Sequence, residues 1–532
     1  MKTRILVVGG GLGGVAAALA AAENGVHVVL TEEFRWLGGQ STSQAVPFDE
    51  HPWVESFGAT ARYRRLRDGI REVYRRDYPL TERARATAHL NPGAGWVSKL
   101  CHEPRVAVDV IDELLAPHIA SGMLTVVQPA RPVAAQTDGD RITSVTFDRL
   151  TRGEQVTLTA DYVLDATETG DLLALAGVEY AIGFESQAEH NEPSAPPQAQ
   201  PDNIQAVSVC FAIDHTAGED FTIDRPAMYD YWRGVEPEFW GGPLLSWTSP
   251  DPRTLAPLTR QFTPNPGDDP VAVEADQSKN PGHGNLWTYR RILARDMFAP
   301  GTFASDVTLV NWPMIDYFDR PLIDVPDPEQ GLKEARQLSL SALYWMQTEA
   351  PRPDGGTGWP GLRLRPDIMG TEDGLAMAPY HRESRRIKAL RTVTERDVSM
   401  DITGGPARSF DDSIGVGMYR IDLHPSTGGD NYIDVPSSPF QLPLGFLIPQ
   451  RVTNLLAAGK TSGTTHITNG CYRLHPVEWN TGEVAGILAA HCITEGLTPH
   501  QIHHNTTLIG DFQRVVAQQG IELAWPDTVS GY

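Results

Sequence analysis

The sequence predicts an α/β fold: a parallel-sheet domain built from both ends of the chain, with a mostly β, α+β domain inserted between them. Three observations carry this. The chain opens on an apolar run, a glycine-rich turn, an alanine-rich run and a second apolar run (ILVVGGGLGGVAAALAAAENGVHVVLTEE). A strand, glycine turn and helix start recur near residue 459 (RVTNLLAAGK, then HPVEWNTGEVAGILAAHCI). Between them, short alternating runs separated by turns such as DGD and TRGE read as β structure.

Residues 4–8 are β-branched and apolar, as a strand buried on both faces requires. Gly9, Gly11 and Gly14 stand at G-x-G-x-x-G spacing, with Gly13 inside it. The first permits a tight turn, the second lets a pyrophosphate approach the backbone, and the third lets helix and strand pack closely. Residues 15–24 form a helix whose N-terminus favours that negative charge, and Gly25 stops it. Residues 26–31 are the second strand. Glu32, with Glu33 beside it, ends that strand where a carboxylate accepts bonds from ribose hydroxyls. The competing reading is an export signal, but five glycines in six positions cut its apolar helix, each costing ~1 kcal/mol against alanine. The pattern alone does not separate NAD from FAD.

Further along, residues 62–77 carry charges on a helical period and are expected to form a solvated helix; residues 106–119 read as another helix. The runs LTVVQ, RPVAAQ, RITSVTF and EQVTLTA are expected to make an antiparallel meander, and ADYVLDAT a buried strand ending at Asp165. Residues 185–203 and 249–270, rich in proline, are expected to be long loops of the kind that form lids or insertions. The last strand finishes at Gly459, and Pro476 opens the final long helix. The domains are therefore expected at residues 1–183, 184–440 (inserted) and 441–532, the first and last forming one unit.

Across 532 residues, 44 Lys and Arg face 67 Asp and Glu, a net charge of −23. Such a surface repels phosphate backbones, so no nucleic-acid partner is expected. No stretch offers the ~20 apolar residues of a spanning helix, so no membrane partner is expected either. The four cysteines form no C-x-x-C pair, and no compact His/Asp/Glu spacing suggests a metal. Cysteine usage fits a reducing cytoplasm. The expected partners are a small-molecule substrate and, compatible with the sequence, further copies of this chain.

At this point the sequence resembles the FAD-dependent oxidoreductase family of the glutathione-reductase-like flavoprotein fold. The resemblance runs in blocks: the opening stretch with LGGQ, then ADYVLDATETGDLLALAGV, VNWPMIDY, LYWMQTE, YHRESRRI at residues 380–387, DSIGVGMYRIDLH at 412–424, and NLLAAGKTSGTTHITNGCYRLHPVEWNTGEVAG. It implies a Rossmann-like FAD-binding domain and FAD as the tightly held cofactor. It places Gly9, Gly11, Gly13, Gly14, Glu32 and Glu33 on the ADP half, Gly38, Gly39 and Gln40 near the ribityl or isoalloxazine part, and Gly459, Pro476 and Thr481 where the last strand and helix meet the flavin. A helix N-terminus aimed at the ring stabilises the negative charge of reduced flavin. One fingerprint is present rather than two, which argues against a dedicated NAD(P)H site, and Lys460 follows the glycine where an acidic residue often does.

A flavin oxidising an alcohol or amine needs a base near the substrate, and histidine suits this with its ordinary pKa of ~6.5. His424 alternates with Asp422 along a strand, so both face one way and Asp422 is expected to orient the imidazole; a structural Asp–His pair is the competing reading. His466 is the second candidate, whereas His475 is expected to cap the final helix. Arg382, with Arg385 and Arg386, suits a carboxylate, a hydroxyl cluster or the cofactor; alternation turns Arg382 and Arg386 to one face, against a strand paired with Glu383. Tyr419 and Asn469 are further substrate contacts, Cys471 reads as a buried thiol, and Trp287, Trp312, Trp345 and Trp359 read first as core. The expected activity is hydride removal from a polar small molecule, with reoxidation by oxygen or another acceptor; the alternatives are a flavin monooxygenase, a NAD-only dehydrogenase and a non-catalytic flavin-binding partner protein.

Overall fold

The computed structural model describes residues 2–529. The chain begins β1 (Ile5–Val8), α1 (Leu12–Glu23), β2 (Val28–Thr31), α2 (Ala61–Asp77), α3 (Pro104–Ala120) and β3 (Leu124–Val127). It continues through β4 (Ala130–Asp138), β5 (Arg141–Arg149), β6 (Glu154–Leu158) and β7 (Tyr162–Asp165). The middle holds β8 (Val207–Ser208), β9 (Phe211–His215), β10 (Arg291–Leu293), β11 (Val307–Val310), β12 (Asp316–Tyr317), α4 (Pro328–Thr348), β13 (Leu362–Leu364) and β14 (Tyr380–His381). Last come β15 (Ile421–Leu423), β16 (Ile433–Val435), β17 (Leu455–Ala457), α5 (His466–Tyr472), α6 (His475–Glu495) and α7 (Thr506–Gln518).

The main sheet runs β17-β7-β1-β2-β3, every pairing parallel. Val8 lies opposite Thr31 on one side and Asp165 on the other, so the carboxyl ends of the three central strands finish level. That edge is where open α/β sheets bind ligands. α1 is buried along almost its whole length because α6 lies against it. A Cβ on Gly482 would strike the Gly13 carbonyl, and one on Gly486 the Ala17 carbonyl. The alanines and glycines of the two helices are thus a close-approach surface, and it joins the first and last segments of the chain.

Two expectations need correction. LTVVQ is not part of the meander: β3 pairs in parallel with β2, and the antiparallel unit is β4-β5-β6. A four-residue apolar run reads alike in either setting, and the available edge decides. Nor is α2 a solvated helix. Arg67 and Arg71 are almost fully buried and bridge to Glu55, and Arg67 also bridges to Glu50. Burial raises the Glu55 carboxyl, but the two guanidiniums overcome it and hold the group well below its usual range.

In the middle region, β10-β11-β9-β13 form an antiparallel sheet and β12-β8-β14 a second. Trp287, Trp312 and Trp345 are core there, packed with α4 residues and around Phe262, and Trp359 meets that ring edge-on at 5.7 Å. The two proline-rich stretches are tied down rather than free. Glu185 and Glu192 are buried, and residues 248–250 pair with 257–259. Among the described residues no helix is long and apolar enough to cross a membrane.

Candidate functional site

The glycines after β1 divide into two kinds. At Gly9 (φ +96°) and Gly14 a Cβ would run into the backbone of Ala166 and Gly9, and at Gly13 into the Ala458 carbonyl. These hold strand, helix and turn together. At Gly11 a Cβ would meet only the Glu168 carboxylate, at 2.6 Å, with no backbone nearer than 3.7 Å. At Gly459 nothing lies closer than 3.6 Å. At these two positions no other backbone closes over the glycine; at the level strand ends, Gly9, Glu32, Glu33, Thr167, Glu168 and His381 line a cavity of about 110 Å³.

Glu32 accepts from the Gly10 N–H at 2.7 Å and the Phe34 N–H at 2.8 Å. Burial pushes its carboxyl up to about 8 against those two donors. Glu33 is more exposed and faces Arg131 at 3.7 Å. Gly38 (φ +106°) donates its N–H to the Gly10 carbonyl at 2.8 Å, and Gly39 is also left-handed (φ +49°), which brings the second glycine turn onto the first. An open amide turn at a helix N-terminus, a buried acid at the end of β2 and a second glycine turn beside them fit the diphosphate and ribose of an FAD.

Beyond that cleft, buried polar groups run from the second glycine turn toward His424. Gln40 donates to the Arg473 carbonyl at 2.9 Å and to Glu478. Arg473 donates to Tyr380 Oη at 2.5 Å and to Asp422 Oδ2 at 3.1 Å. Asp422 Oδ2 stands 3.6 Å from His424 Nε2, so strand alternation in β15 does bring the pair together. The tighter partner is remote in sequence and carries no local signal: Asp316 Oδ2 lies 2.6 Å from His424 Nδ1. Asp316 also accepts from Arg382 at 2.9 Å, Ser208 at 2.6 Å and Tyr432 at 3.1 Å. Burial raises its carboxyl, but Arg382 and His424 overcome that and hold it well below the usual range. Asp316 is therefore a buried, ionised acceptor that fixes the imidazole.

Arg382 and Arg386 do not share a face. Arg382 reaches Asp316, Ser208 and the Ala206 carbonyl, while Arg386 pairs with Glu383 at 2.5 Å and Glu185 at 2.8 Å. The intervening residues do not hold a regular strand, so period-two alternation fails. Glu383 also holds His466 Nδ1, and the His466 ring stacks on Phe184 at 4.2 Å. Gln205 links the two histidine groups, accepting from the His424 backbone and donating its own N–H to Glu383 and its amide to Asn469.

His475 is not a cap. Its Nδ1 accepts the Asp49 N–H at 3.0 Å, and burial holds its basicity well below normal. Pro476 does open α6, and Thr481 donates to the Val477 carbonyl within that helix. Lys460 is buried against Glu168, with Nζ 5.8 Å from the Tyr380 ring centroid. Asp316, Tyr380 and Arg473 all lie inside sequence blocks already quoted, yet only the fold shows which of them meet. Among the described residues no cluster of three or more His, Cys, Asp or Glu is arranged to hold a metal ion.

The sequence model of the FAD dependent oxidoreductase family matches residues 4–516. The chain belongs to that family. Its cofactor is FAD. No curated protein matches the chain. Similar solved structures include a flavin-dependent brominase, Bmp2, at 12% identity, covering 41% of this chain and 47% of that one with TM-score 0.26. They include the flavin-dependent monooxygenase PieE at 14%, covering 40% and 35% with TM-score 0.23. A glycerol-3-phosphate dehydrogenase from Bacillus halodurans matches at 12%, covering 40% of each chain with TM-score 0.23. This chain thus spans less than half the length of each structure, and likenesses this partial speak to neither substrate nor reaction.

Proposed function

We propose that this flavoprotein is a dehydrogenase or oxidase acting on a polar small molecule, an alcohol, sugar or amine, with His424 as the proton acceptor. FAD, when bound, supplies a two-electron hydride acceptor, later reoxidised by oxygen or another acceptor. The chain supplies the rest. Asp316 accepts the Nδ1 proton of His424 and leaves Nε2 as the basic nitrogen, on the side of Asp422 and the Gln40–Arg473 bridge. A substrate O–H or N–H proton passes to Nε2 as the carbon gives up its hydride, so charge balances. Arg382 keeps Asp316 ionised, which in turn stabilises the imidazolium formed.

The observation that supports this reading is the 2.6 Å Asp316–His424 contact on a histidine that retains 21% side-chain exposure. The test is anaerobic titration of the yellow protein with alcohols, sugars and amines. Bleaching by a member of the panel without added NAD(P)H is the expected result. If no donor bleaches the flavin, and NAD(P)H is consumed on adding an aromatic compound, the monooxygenase reading takes over.

A further inference from the structure

The cofactor cleft contains an anion of the chain's own. Glu168 follows the end of β7 and turns its carboxylate across both glycine turns. Its Oε1 lies 2.6 Å from where a Cβ on Gly11 would stand and 2.6 Å from the same point on Gly39. Its other oxygen pairs with Lys460, whose side chain is 1% exposed and which directly follows the open Gly459. Burial raises the Glu168 carboxyl, yet Lys460 overcomes this and holds it below the ordinary range, so the group is a carboxylate. Glu478, the other acid near Lys460, is driven up to about 7 by burial. Lys460 therefore has Glu168 as its principal counter-charge.

A glycine turn at a helix N-terminus presents backbone N–H groups and a partial positive charge to one anion at a time. A diphosphate seated on Gly11 and the Glu168 carboxylate in its observed position would be like charges in one water-poor site, which disfavours both. We propose that Glu168 is an internal competitor for the diphosphate seat of FAD, and that Lys460 is a shared cation which exchanges Glu168 for the phosphate as the cofactor loads. Glu168 and Lys460 are thus the residues that set how tightly this chain holds its cofactor. The inference rests on the FAD site and is independent of the substrate and of His424.

The test uses the full-length chain stripped of cofactor, with FAD, ADP and riboflavin binding followed by fluorescence and calorimetry. Glu168→Gln removes the competing charge at constant size and should tighten FAD and ADP about tenfold, and riboflavin, which lacks phosphates, by much less. Lys460→Gln should weaken FAD and ADP, and weaken them more in the Glu168→Gln background than alone, because there it has no second partner to give up. Glu168→Asp draws the carboxylate back while keeping its charge, so it should give a smaller gain; it serves as the test if Glu168→Gln folds poorly by circular dichroism. The proposal is overturned if Glu168→Gln or Glu168→Asp weakens ADP or leaves it unchanged, if riboflavin shifts equally, or if the two substitutions add.

Discussion

The segment at residues 382–386 separates two histidine, carboxylate and arginine groups of the same composition. On one side Arg382 holds Asp316, which holds His424. On the other Arg386 holds Glu383, which holds His466. The difference lies at the second ring face and nitrogen. His466 is 3% exposed and its ring is covered by Phe184, while His424 is 21% exposed and its Nε2 looks toward Asp422. A positioned carboxylate makes a histidine rigid; only an accessible second nitrogen lets it exchange a proton with something outside. On the proposed function the first group exchanges the substrate proton, while the second ties residues 185, 383 and 466 together.

The contrast can be broken most directly by comparing turnover. His424→Ala should lower kcat by about 10²–10⁴ while the protein stays yellow, the range expected for losing a general base. His466→Ala should leave kcat per folded molecule within a few-fold. Equal losses would erase the distinction. Stability should show the reverse order. Glu383→Gln leaves the fully buried Arg386 with Glu185 as its remaining carboxylate partner and should cost about 1–3 kcal/mol in denaturant unfolding. The smallest effects are in pH dependence. Asp316 is depressed, so its contribution is present above its unfolded value of 3.8 and is lost as pH falls through the lower folded value. Glu32 is raised from 4.5 to about 8, so its contribution is full below 4.5 and is lost as pH rises through about 8. Glu32→Gln should therefore flatten the fall in thermal midpoint of the cofactor-free chain between about pH 5 and about pH 8, and Asp316→Asn should narrow its gap from the parent below about pH 4.

The parts legible in the sequence were those settled locally. β1, α1 and β2 are announced by glycine spacing and apolar runs within about thirty residues, although β7, β3 and α6 complete their burial. α6 was legible through Pro476 and its small residues. What failed depended on distant partners. β3 reads like its neighbours until β2 claims it. The charges of α2 look solvated until Glu50 and Glu55, from a loop, cover them. Strand alternation points to Asp422, two positions away, as the orienting acid of His424, whereas Asp316, 108 residues distant, makes the shorter contact. Arg382 is legible as a site candidate, but its partner Asp316, 66 residues away, is not, for the same reason.

The seam between α1 and α6, where Gly482 and Gly486 seat against carbonyls of Gly13 and Ala17, also bears on how the chain comes to be folded. β17 reaches β7 only after roughly 290 intervening residues have been made. The margin of β7 and the alanine face of α1 are therefore completed by segments remote in sequence, a pairing of high contact order. The Gly13 turn, which abuts the Ala458 carbonyl, is thus closed only once β17 and α6 are in place, so the diphosphate turn is finished by residues from the other end of the sequence.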